Sequence, residues 1–101
     1  MDNKKFLYIP LALFENELYK NNLSLEAKIL YSFLLNRKEI SQNNNENFII
    51  FTRKEATEKL CISYKTAVKA FQELINTGLI EEKAQGFGNP KIIYIYVCKI
   101  F

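Results

Sequence analysis

The chain has no histidine in its 101 residues. That absence removes Ser-His-Asp and Cys-His nucleophilic arrangements, together with every histidine-ligated metal site. Cysteine is scarce: Cys61 and Cys98 are the only two, far apart, with neither CxxC spacing nor a signal peptide near them. They read as small core residues of a protein in a reducing cytoplasm. Carboxylates pair at Glu15 with Glu17 and at Glu81 with Glu82. Adjacent and alternate residues on regular elements diverge, however, and no nucleophile or glycine-rich phosphate loop accompanies them. No enzyme is expected, and no cofactor, metal, small-molecule substrate or membrane partner.

Charge of one sign is also in short supply, with 14 Lys or Arg against 11 Asp or Glu, a net +3. Residues 53 to 91 hold seven basic against five acidic side chains, an excess of two. So weak a field suits a domain that binds DNA as a pair, because a lone copy neutralises few phosphates and loses affinity steeply with salt. It argues against a nonspecific coating protein. What the chain does have is apolar bulk: hydrophobic residues make up 49%, with eight Phe and six Tyr. That is enough for one core but not two, so residues 1–101 read as a single domain.

Helix signals concentrate in the second half. Thr52 followed three residues later by Glu55 is a capping box, with Ala56 and Leu60 on a buried side. Only Cys61 and Ile62 separate Leu60 from the next cap, Ser63, and so brief a connection forces two helices to cross sharply. From Ser63 to Gly78 a helical period of about 100 degrees places Ala67, Val68, Phe71, Leu74 and Ile75 on one buried stripe. Lys65, Thr66, Lys69, Gln72, Glu73 and Asn76 lie opposite. Ser63 caps the helix and Gly78 terminates it.

A hairpin follows. Leu79 to Lys83 starts a strand, Gln85 to Pro90 is turn-forming throughout, and Lys91 to Val97 is rich in β-branched and aromatic residues. Two crossed helices and a hairpin form a winged helix-turn-helix, an α+β fold. In the first half, Phe6 to Ile9 is expected as a short strand, and Pro10 opens a helical turn over Leu11 to Leu18. Ser24 caps a long helix from Leu25 to about Ile40, apolar over more than half its circumference at Leu25, Ala27, Ile29, Leu30, Phe33, Leu34 and Leu35. Gln42 to Asn47 is a polar loop. Phe48 to Phe51 is a strand that leads into the Thr52 cap and completes a three-stranded sheet with the wing.

These strings resemble the N-terminal domain of the plasmid replication initiator protein A family of Gram-positive bacteria. The matching text is Phe6 to Glu15 (FLYIPLALFE), Leu23 to Leu35 (LSLEAKILYSFLL), Phe51 to Glu55 (FTRKE), Ser63 to Ala70 (SYKTAVKA) and Leu79 to Tyr94 (LIEEKAQGFGNPKIIY). The resemblance implies a dimeric winged-helix domain binding iterated origin repeats, and in family members a separate C-terminal domain follows. Where the family carries a longer strand-turn-strand insert, this chain has only QNNNEN. Where the family commonly has Gly in the helix-helix turn, this chain has Cys61, which implies a positive φ there or a different turn.

The function expected is sequence-specific, noncatalytic binding of double-stranded DNA at a replication origin by a homodimer. Ser63, Tyr64, Lys65, Thr66, Lys69 and Gln72 face the major groove or its phosphates. Thr52, Arg53 and Lys54, at the start of the first helix, suit a phosphate. Lys83, Gln85, Asn89 and Lys91 are the wing's candidates. The aromatic N-terminal segment, Phe6, Tyr8, Phe14 and Tyr19, supports dimerisation. Two other readings stand beside this one: a winged-helix transcriptional regulator, and a protein-interaction winged helix favoured by Glu73, Glu81 and Glu82 near the polar face.

Overall fold

The computed structural model describes residues 6–41 and 47–98. In chain order its elements are α1 (Ala12–Glu15), α2 (Leu25–Ser41), α3 (Arg53–Leu60), α4 (Tyr64–Asn76), β1 (Ile80–Lys83) and β2 (Ile92–Ile95). The expected polar loop at Gln42 to Asn47 lies, apart from Asn47, outside the described residues.

The long helix α2 is the spine of the domain. Its first turn is held by Ser24, whose Oγ accepts from the Ala27 N–H at 3.2 Å. Ala27, Leu30, Tyr31 and Leu34 are completely buried along one face, at the spacing of successive helical turns. Tyr31, absent from the expected apolar set, lies at the centre of the core and donates its hydroxyl to the Tyr96 carbonyl. Burial pushes the pKa of that hydroxyl up. Leu25, expected in the apolar set, is exposed. Helix α4 packs across α2 through Ala67, Ala70, Phe71 and Leu74, all essentially inaccessible. At roughly 25 cal/mol per Å² of apolar area removed from water, such residues dominate the driving force for folding.

Three expectations about local structure change. Helix α1 is a single turn, because Asn16 leaves the helix with φ −82° and ψ 132° and its Oδ1 instead accepts from the Leu18 N–H at 2.8 Å. Residues Phe6 to Ile9 form no strand; among the described residues they have no ladder partner. The third sheet strand at Phe48 to Phe51 shrinks to one antiparallel bridge, Ile49 with Ile93. It stops there because α3 begins two residues beyond Phe51; Arg37 Nη1 donates to the Ile50 carbonyl at 2.7 Å on the edge that does not face β2. The sheet is therefore two-stranded, β1 antiparallel to β2, with Ile80 opposite Ile95 and Lys83 opposite Ile92. Among the described residues no helix is long and apolar enough to cross a membrane.

Candidate nucleic-acid interface

The α3–α4 corner is built by three local devices. Thr52 caps α3, its Oγ1 accepting from the Glu55 N–H at 3.0 Å. Cys61 then takes the left-handed conformation at φ 58° and ψ 47°, where a Cβ is tolerated only at a cost. The positive φ implied by the missing glycine is present. This reversal lets the Ile62 N–H reach back to the Thr57 carbonyl at 3.2 Å, closing the end of α3. Ser63, in extended conformation, caps α4 by accepting from the Thr66 N–H at 3.1 Å and donating to Thr66 Oγ1 at 2.9 Å.

The outward face of α4 is open. Tyr64, Lys65, Lys69 and Gln72 are exposed and Thr66 is half-buried. Gln72 donates through Nε2 to Asn76 Oδ1 at 3.0 Å, which holds its amide along the helix. Among the described residues, Lys54, Lys65, Lys69 and Lys83 make no ion pair with a carboxylate. Val68, expected in the core, is 39% exposed. The buried stripe is centred on Ala67, Ala70, Phe71 and Leu74, and Val68 stands to one side of it. Ala70, at the opposite edge of the stripe, is 1% exposed. Val68 thus joins Tyr64 and Gln72 on the open face, where its methyl groups are accessible.

Arg53 departs from its expected role. Its guanidinium stacks over the Phe71 ring at 4.2 Å and pairs through both terminal nitrogens with the Glu82 carboxylate, Nη2 to Oε1 at 2.9 Å. The Glu82 side chain is only 8% exposed. Lys91 Nζ approaches the same carboxylate at 3.9 Å from a largely solvated position. Arg53 is therefore committed to fastening β1 to the start of α3, while Thr52 and Lys54 on either side stay exposed. Sequence reasoning missed this clamp, and the available signal was alternation along β1: Glu81 and Glu82 point to opposite faces, so one of them had to turn inward.

The acidic residues that suggested a protein partner are mostly used internally. Glu73 reaches away from the open face, its Oε1 accepting from the Ser24 N–H at 2.8 Å, so α4 itself caps α2. Glu81 accepts from the Tyr96 hydroxyl at 2.7 Å. On the wing, Gln85 Nε2 donates to the Pro90 carbonyl at 2.8 Å, bridging the loop instead of pointing freely outward. Asn89 and Lys83 are exposed. A shallow cleft bounded by Thr52, Tyr64, Pro90 and Lys91 brings the base of the wing beside the first turn of α4. The structure thus brings Thr52, Tyr64 and Lys91 together at this cleft, which Arg53 also lines while paired with Glu82.

Two crossed helices, a left-handed corner and a flanking hairpin define a winged helix-turn-helix domain. The chain belongs to the family described as "Replication initiator protein A (RepA) N-terminus", whose profile matches residues 5–100. Three solved structures are similar over 97% of this chain. One titled "Structure of Rep-DNA complex" superposes with TM-score 0.81 at 26% identity and is matched over 79% of its own length. "N-Terminal domain of DNA binding protein" gives 0.79 at 27%, also over 79% of that chain, and "Structure of MDR initiator" gives 0.77 at 28% over 81%. No match is found among curated proteins.

Proposed function

We propose that this chain binds duplex DNA at a replication origin without carrying out chemistry, reading sequence with the outward face of α4 and gripping the backbone with α3 and the wing. One observation carries the reading: a basic, ion-pair-free face of α4, at the crossed end of a helix pair, in a chain whose structural neighbours include a Rep–DNA complex. At 1.5 Å per residue the 13 residues of α4 extend about 20 Å, and a helix fits the roughly 12 Å width of the major groove. Lys65 and Lys69 stand one turn apart and would meet bases or flanking phosphates. Thr66 and Val68 offer a hydroxyl and a methyl to base edges. Thr52 and Lys54 at the start of α3 would receive a phosphate.

The test is fluorescence anisotropy on a duplex selected from a random-sequence pool by the wild-type chain, repeated across ionic strengths. Replacing Lys65 and Lys69 by Ala should abolish specific binding or, if both residues meet only phosphates, flatten the slope of log K against log salt by about two. Unchanged affinity and slope would refute the assignment of this face.

The binding unit is a homodimer on repeated sites. The N-terminal segment, which leaves Phe6, Tyr8, Leu11 and Phe14 exposed, supports this, because neighbouring exposed apolar side chains mark association surfaces. Tyr19, expected in that set, is buried instead. Sedimentation at tens of micromolar should give twice the chain mass; a monomer there would contradict pairing through this surface.

A further inference from the structure

The wing tip presents a residue that the basic face does not account for. Phe87 is entirely exposed. It stands between Gly86 and Gly88, whose φ values of 126° and 85° lie where side chains rarely go. The loop carrying it is bridged twice, by Gln85 Nε2 to the Pro90 carbonyl at 2.8 Å and by the Asn89 N–H to the Gly86 carbonyl at 3.2 Å. The ring is thus held out on a closed piece of backbone. Lys83, at the last rung of the hairpin opposite Ile92, and Lys91 flank the loop's mouth with positive charge. The loop's base adjoins the first turn of α4 across the cleft of Tyr64, Pro90 and Lys91.

We propose that Phe87 is a DNA-contacting residue whose ring enters the minor groove next to the major-groove site of α4 and wedges against a base step. This rests on the duplex-binding reading above. With α4 in the major groove, a hairpin beside its N-terminal turn crosses the sugar-phosphate ridge to the neighbouring minor groove. Lys83 and Lys91 straddle that ridge, and the apolar ring meets sugars and base edges. An apolar wedge makes no base-specific hydrogen bond, so its selectivity comes from how readily the step unstacks. Pyrimidine–purine steps at a fixed distance from the α4 site are the class of target it favours.

The test uses the full chain and the selected duplex, with 2-aminopurine placed in turn at the flanking steps. Wild-type protein should raise the 2-aminopurine emission at one such step as it unstacks. Phe87→Ala should abolish that rise and weaken binding roughly ten- to a hundredfold, leaving the salt slope unchanged because no charge is lost. Phe87→Leu should retain most of both. If Phe87→Ala matches the wild type in affinity and emission while the Lys65/Lys69 variant fails to bind, the wedge is overturned and duplex binding stands. If the wild-type chain enriches no duplex at all, both fall.

Discussion

Cys61 is the residue where local chemistry and fold disagree most openly. Its left-handed backbone, φ 58°, is the conformation that closes α3 and aims Ser63 at the start of α4. For a residue with a Cβ it costs about 1 to 2 kcal/mol. Cys61→Gly should therefore raise the unfolding free energy by about 0.5 to 1 kcal/mol, after allowance for glycine's freer unfolded chain. A higher urea midpoint at unchanged slope would show it, and a lower midpoint would contradict a strained corner. The thiol, expected as a core residue, is exposed, unlike that of Cys98, so its removal opens no core cavity. The two caps beside it were legible from the sequence, because Thr52 with Glu55 and Ser63 before an apolar stripe are signals contained within one helical turn. The inward turn of Glu73 was not legible, since its partner Ser24 is 49 residues away and no local pattern joins them.

At the scale of elements, the wing is fixed to the helix pair by the Arg53–Glu82 pair. Glu82 is nearly buried, and Arg53 is covered on one side by Phe71. Removing the carboxylate strands a guanidinium that water reaches poorly. Glu82→Ala should cost about 1 to 3 kcal/mol, and a double-mutant cycle with Arg53→Ala should show coupling of roughly 1 kcal/mol or more. Additive single losses would mean that β1 is held by its apolar contacts alone. Element types were readable wherever period and cap agreed, as in α2, α3 and α4. They were misread where only composition spoke. Phe48-Ile49-Ile50-Phe51 has the residues of a strand, yet among the described residues only Ile49 pairs with β2, because α3 begins two residues beyond Phe51. Phe6 to Ile9 is equally β-prone but finds no neighbouring strand among the described residues.

For the whole molecule, two surfaces divide the work. One is the crossed end of the helix pair with the wing, bearing Lys54, Lys65, Lys69 and Lys83 exposed; the other is the apolar N-terminal surface around Tyr8, Leu11 and Phe14. The basic face was legible as a face, because α4 is strongly amphipathic. Val68 was placed on the wrong side because it lies at the edge of the stripe, where burial depends on what packs there. The separation of surfaces can be read residue by residue from amide chemical shifts as the selected duplex is titrated into labelled protein. The expected result is perturbation concentrated at residues 63–72 and 84–91, with residues 6–18 unchanged. Perturbation centred on residues 6–18, with α4 and the wing silent, would contradict the central claim that the bare side of α4 is what meets DNA.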